Sequence, residues 1–196
     1  MINLSNYYSF TRRTKELITN SRKEWKIIDN EHNKISKIVK EYILPLSIIC
    51  SIVVFLGSLF RFNYALWPSV KMSIITIVSI FLSIYTSSAI LNEFINSIKD
   101  IKKDNIKKVV IYACGVFFVF HTLSVIFYED GFIKSIFQLA QFICGIPIFT
   151  SIDTALNLKR EKAWTFTIFI TILITGIPNI LEQILERILN IPIASI

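Results

Sequence analysis

Histidine, cysteine and glycine are scarce in this chain, which has 2, 3 and 5 of them among 196 residues. Cys50, Cys114 and Cys144 lie far apart in apolar surroundings, and no Cys or His pair has the close spacing of a metal ligand set. They read as reduced packing residues, so neither a metal nor a cofactor is expected. There is no Gly-rich phosphate loop, no His-Glu-x-x-His and no Gly-x-Ser-x-Gly elbow. With no nucleophile–base constellation in sight, no catalytic residue is nominated and a non-enzymatic protein is expected. Charge is also sparse, at 18% of residues against 53% hydrophobic, and it is missing altogether from five long stretches.

Those stretches are residues 42–60, 72–91, 109–128, 135–152 and 163–180. A helix needs about 20 apolar residues to cross ~30 Å of hydrocarbon at ~1.5 Å per residue, and each stretch meets or approaches that length. The expected fold class is all-α: a polytopic integral membrane protein built as a bundle of five transmembrane helices, with amphipathic N-terminal and C-terminal segments. Residues 1–41 form the N-terminal segment, 42–180 the membrane domain and 181–196 the tail.

Lys and Arg alternate between the connecting segments. The first 41 residues hold 9, the second loop 5 and the fourth loop 3, whereas the first loop holds 2, the third 1 and the tail 1. Basic residues beside spans are retained in the cytoplasm, so the N-terminus is expected inside and the C-terminus outside, in the plasma (inner) membrane if the source is bacterial. The first 41 residues are too long and too charged for a cleavable signal, so the first span is expected to act as an uncleaved anchor. The net charge of +7 then reads as topology and attraction to anionic lipids at the cytoplasmic face, not as nucleic-acid binding.

Ser21 and Glu24 have the spacing of a capping box, which predicts a helix from there toward Glu41, preceded by a short helix carrying Leu17 and Ile18. Trp25, Ile28, Ile35, Ile38 and Val39 make an imperfect apolar stripe with lysines beside it. The segment is expected to lie on the inner leaflet, with Trp25 at headgroup depth; the alternative is a solvated stalk. Ser79, Ser83 and Ser87 recur at four-residue spacing in the second span and read as a packing seam. Pro45, Pro147 and Pro178 read as kinks. After Pro178, Ile180, Leu181, Ile184, Leu185 and Ile188 alternate with Glu182, Gln183, Glu186 and Arg187 at a helical period, predicting an amphipathic helix on the outer face.

His121 lies inside the third span, where an ionisable group is a functional candidate by default. Gln138 and Gln141, three apart in the fourth span, are expected to share a face and with His121 to form a polar intramembrane strip. No charged partner for His121 is visible in the spans, so the ring is expected to be neutral and structural and His121→Gln to leave folding intact.

Trp25-x-x-Ile28-x-x-Glu31 in the charged N-terminal segment, Tyr42-Ile43-Leu44-Pro45-Leu46 opening the first span, and Gly145 followed by Lys162-Ala163 together resemble the bacterial branch of the Yip (Ypt/Rab-interacting protein) family. The resemblance runs over nearly the whole chain and implies a five-helix bundle with a cytoplasmic N-terminus. Eukaryotic members are linked to Rab GTPases, trafficking and membrane shaping, but their Asp-Leu-Tyr-Gly-Pro motif is absent here, which speaks against a Rab-type partner. The expectation is a Yip-type protein organising membrane or partner proteins, with Trp25, Ile28 and Glu31 as candidate partner or lipid contacts and with homo-oligomerisation open. The alternative is a small transporter or channel component built on His121, Gln138 and Gln141. A water-lined cavity at His121 would favour the transporter; a closed bundle would favour the organiser.

Overall fold

The computed structural model describes residues 4–61, 63, 65–96, 103–127, 130–154 and 160–190. Those residues form helices α1 (Leu4–Thr19), α2 (Ser21–Asn30), α3 (Ile35–Ile38), α4 (Leu44–Arg61), α5 (Leu66–Asn96), α6 (Lys103–Ile126), α7 (Gly131–Ala140), α8 (Gly145–Thr154) and α9 (Arg160–Ile188). A π turn over Val39–Ile43 joins α3 to α4, and a 3₁₀ turn over Gln141–Cys144 joins α7 to α8. Five continuous segments are long and apolar enough to cross a membrane: Ile35–Arg61, Leu66–Phe94, Asp104–Ile126, Gly131–Ile152 and Ala163–Ile188. The protein is an all-α polytopic membrane bundle.

Helix α6 is its axis. Its apolar window is 72% buried, against 22% for each of the last two spans, as expected of a helix that is hydrophobic on every side. Helices α4, α5, α7, α8 and α9 surround it. Outward faces of the peripheral spans stay apolar, with Ile52, Leu56, Ile74, Phe81, Ile168 and Ile172 exposed, which is a surface suited to lipid. Close approach depends on small residues. A Cβ at Gly57 would meet Ile126 Cα at 3.3 Å, and one at Gly115 would overlap the Tyr42 ring and hydroxyl. Gly115→Ala is therefore expected to push Tyr42 out of place and to cost about 1–3 kcal/mol, read as a lowered unfolding midpoint in detergent; Gly176→Ala, with open space at its Cβ, is the control.

The prolines are accommodated in three ways. Pro45 stands at the second position of α4, straight after the π turn, whose wider winding tolerates a missing N–H. Pro147 is the third residue of α8, just past the 3₁₀ turn that divides the fourth span. Pro178 lies inside α9, which continues to Ile188. The expected separate tail helix is thus corrected: residues 181–188 extend the fifth span, and Asn190, at φ 48°, ends it in a left-handed cap. Residues 191–196 lie outside the described residues. Ser79, Ser83 and Ser87 are fully buried on α5, which packs against α4, α6 and α9, in keeping with a packing seam. The three cysteines are buried and free.

The N-terminal segment also departs from expectation. One helix from Ser21 to Glu41 does not form: α2 stops at Asn30 and α3 begins at Ile35, with His32 at φ 45° between them. Asn and His tolerate the left-handed region better than most residues, and Asn30, His32 and Asn33 cluster at this break. The capping box is not made either. Asn20 is the N-cap of α2 and makes no side-chain cap bond; its amide donates to Glu16 Oε2 instead, while Ser21 bonds Thr150 and Glu24 lies against Arg13.

Candidate functional site

Helices α1 and α2 are inserted into one end of the bundle like a wedge. The face of α2 that carries Ser21, Glu24, Trp25 and Ile28 is buried, and its main neighbour is α8. Trp25 is 0% exposed; its Nε1 donates to the Pro147 carbonyl at 2.8 Å, and its ring meets Tyr112 edge-on with centroids 5.8 Å apart. Ser21 and Thr150 hydroxyls are hydrogen-bonded at 2.5 Å. Tyr112 packs on Tyr42, and Tyr42 on Phe10 of α1, at centroid separations of 4.8 and 5.2 Å. The Tyr42 hydroxyl bonds Thr14 at 3.1 Å.

This corrects the reading of Trp25 and Ile28 as lipid or partner contacts. Both are core residues, because the apolar stripe of α2 has a better partner in α6 and α8 than in lipid headgroups. Glu31, the third residue of that motif, is an ion-pair partner. Arg13 donates through Nη1 and Nη2 to the two oxygens of Glu31, at 2.8 and 2.5 Å, and through Nη1 to Tyr112 Oη at 3.2 Å. Its Nε lies 3.2 Å from Glu24 Oε1, a contact whose direction falls short of a hydrogen bond. Trp25-x-x-Ile28-x-x-Glu31 is therefore a motif that seats the wedge.

Burial alone would lower the Arg13 pKa, but the Glu31 hydrogen bond and the neighbouring Tyr112 hold it above its ordinary value. Glu24 is raised by burial, partly offset by Arg13. Glu31 is lowered by the Arg13 hydrogen bond, against some desolvation. The two carboxylates thus act oppositely on stability. Glu31 contributes above its unfolded pKa, and that contribution is lost as pH falls through its depressed folded value; Glu24 favours the folded state at low pH, and that contribution is lost as pH rises through its elevated folded value. At neutral pH, Glu31→Gln is expected to loosen the wedge by about 1 kcal/mol, a charge-assisted bond reduced by partial exposure, while Glu24→Gln costs less. The readout is the emission of Trp25 in a Trp67→Phe, Trp164→Phe background, red-shifting as the wedge leaves.

At the opposite end of the bundle a second polar cluster surrounds His121, five residues from the end of α6 and so closer to that end than to mid-span. His121 Nε2 lies 2.8 Å from Glu182 Oε2 of α9. Nδ1 is 3.4 Å from Gln141 Nε2, which lies 3.5 Å from Ser124 Oγ. Phe117 stacks on the ring with centroids 5.3 Å apart. The expected isolation of His121 is corrected: its partner is a carboxylate from the segment read as an outer-face tail. With the Gln141 amide donating to Nδ1, the ring proton sits on Nε2 and points at Glu182; with the amide turned over, Gln141 accepts from a proton on Nδ1. Glu186, one turn beyond Glu182, is within electrostatic reach of His121 and of Arg61.

Gln141 joins His121, but Gln138 does not. Gln138 is exposed on α7, a helix none of whose residues is buried. The 3₁₀ turn that begins at Gln141 changes the register, so the polar strip contains Gln141 and His121 without Gln138. Residue reading missed Arg13, Tyr112 and Glu182. A signal for Glu182 was present: Ile170, Ile174, Pro178 and Glu182 recur every four residues, and the first three are buried. Among the described residues no group of three or more His, Cys, Asp or Glu could hold a metal ion.

Comparison of the chain with protein-family models found no match, and searches of the curated proteins and of the solved structures likewise returned none.

Proposed function

We propose that the protein is a non-enzymatic membrane organiser that works through the end of the bundle carrying α1 and α2, with that end in the cytoplasm. The observation that carries this reading is the seated wedge. Its inner side is held by Trp25, Ile28 and the Arg13–Glu31 pair, while Arg12, Lys15, Arg22, Lys23 and Lys26 are exposed on its outer side. A rigid basic surface beside a bilayer attracts anionic headgroups, about 1 kcal/mol per Lys or Arg, and it presents a fixed shape to a protein partner. The basic asymmetry of the loops supports the cytoplasmic placement. The Yip-type resemblance supports the same architecture through Trp25, Ile28 and Glu31, although Trp25 and Ile28 turn inward, Glu31 is held by Arg13, and the partner-facing residues are the basic ones.

The test is purification from native membranes of the unaltered chain and of a variant with Lys15, Arg22, Lys23 and Lys26 all changed to Gln. Loss of enriched anionic lipid or of a defined protein partner in the variant, with the bundle intact, is expected; identical lipids and partners in both would refute the reading. Orientation is tested by single cysteines at exposed Lys23 and Asn63, probed with an impermeant thiol reagent on intact cells: only Asn63→Cys is expected to label.

A second reading, a small proton-coupled transporter or channel component, is favoured by the His121–Glu182–Gln141 cluster, since the two orientations of Gln141 match protons on different nitrogens of the ring. Transport that collapses in His121→Gln, with expression unchanged, would establish it.

A further inference from the structure

Two cavities meet at Ile18 and Thr19, where α1 ends. The first, of about 450 Å³, runs from α1 down between α4 and α6, within the ~300–1,000 Å³ usual for a small-molecule site. Its walls are almost wholly apolar: Ile18, Leu46, Ile49, Val53, Val119 and Leu123. Lys15 is the charged residue on its lining, exposed at the α1 side. Val53 lies well inside the first span and Leu123 three residues before the end of the third, so the groove runs from the basic end of the bundle along most of the length of these two spans. The second cavity, of about 570 Å³, is lined by Arg22, Lys23 and Lys26 together with Ile146 and Thr150. The nearby carboxylate Glu24 is turned inward toward Arg13, so it does not offset the charge of that opening.

We propose that this pair of cavities binds one anionic phospholipid from the leaflet at the wedge end, with an acyl chain in the apolar groove and the phosphate against Lys23 and Lys26. The inference rests on the reading of the wedge end as a lipid- and partner-facing surface, and it adds a defined occupant and pose. Charge complementarity selects the occupant. A zwitterionic lipid fills the groove equally well and presents the same phosphate, but it also brings an ammonium group beside Lys23 and Lys26, and a free phosphate meets the lysines but leaves the groove empty. Any of the membrane's chains can enter a groove that opens sideways; only an anionic headgroup is also held at the top.

The experiment reconstitutes the full chain in nanodiscs of phosphatidylcholine with a minor fraction of phosphatidylglycerol, and measures the retained lipid by native mass spectrometry. One phosphatidylglycerol per protein is expected, retained at least ~10-fold over its mole fraction. Val53→Trp, which fills the groove and leaves every charge in place, is expected to abolish that retention, as is Lys23→Gln with Lys26→Gln. Should Val53→Trp fail to fold, the unaltered protein is tested with a phosphatidylglycerol carrying a photoreactive group in its acyl chain: crosslinks are expected within residues 46–53 and 119–123. Retention unaffected by Val53→Trp but lost with the lysines, or crosslinks spread evenly over outward residues such as Ile168 and Ile172, would overturn the groove while leaving the basic-surface reading standing. Retention independent of both would overturn both. Displacement of the lipid by millimolar inorganic phosphate alone would show that the site recognises phosphate without a chain, and would overturn the proposal.

Discussion

Trp25→Ala is expected to release α1 and α2 from the bundle while leaving the five spans inserted. Truncating a fully buried tryptophan costs about 3–5 kcal/mol, and here three losses coincide. The indole leaves a cavity between α2, α6 and α8, its edge contact with Tyr112 is lost, and the Pro147 carbonyl loses its Nε1 donor. The wedge is two short helices and has few other anchors of that size. The Arg13 cluster does not compensate, because an ion pair this close to the surface contributes little once the helices bearing it are free to separate. The spans are insulated from the loss, since their burial depends on contacts among α4, α5, α6 and α9 and on lipid. Limited proteolysis in membranes should therefore show new cleavage between residues 12 and 40 with unchanged protection of the remainder. Trp25→Phe keeps the ring and loses the donor, and should fall between the two.

His121→Leu is expected to lower the stability of the bundle by about 3 kcal/mol, and a second change, Glu182→Leu, to restore most of it. Breaking one side of a poorly solvated pair leaves the other charge without a partner, which is where most of the cost arises; replacing both by apolar residues of similar volume is close to neutral. Glu182 is 18% exposed in its side chain, which sets the figure at the low end of the range for buried pairs. His121→Gln should cost less than His121→Leu, because the amide can still donate to Glu182, so the variant folds as expected from the sequence but for a different reason. The double-mutant cycle, measured as unfolding in mixed micelles, yields the coupling directly. Additive single effects would mean that the two side chains do not meet.

The five spans were legible because hydrophobicity over about 20 residues is a local property, and the absence of charge located each stretch, although the first begins seven residues earlier and the fifth ends eight residues later than read. What the sequence could not supply was which faces meet. Trp25 beside Lys23 and Lys26 has the appearance of an interfacial anchor; only the presence of α6 and α8 on its other side makes it a core residue. The tail was misread for a related reason. Pro178 read as a kink with a separate tail helix after residue 180, whereas the helix is carried straight through it to Ile188, and Glu182 of that extension turns toward an imidazole 61 positions earlier in the chain. Arg13 was passed over as one more topogenic cation, because nothing nearby in sequence announces Glu31 and Tyr112 as its partners. The break between Asn20 and Ser21 was anticipated, but the break at Asn30–Asn33 was not, since the apolar stripe continues across it.

The most direct test of the seated wedge is a disulfide between Ser21→Cys and Thr150→Cys in a background free of Cys50, Cys114 and Cys144. The Ser21 and Thr150 hydroxyls are 2.5 Å apart, so thiols put at these two positions start close to one another. Mild oxidation in native membranes, followed by peptide mapping, should find the 21–150 crosslink in most molecules, and none in Ser21→Cys paired with outward-facing Ile172→Cys. A 21–150 crosslink as rare as that control would contradict the account and return the N-terminal helices to a stalk.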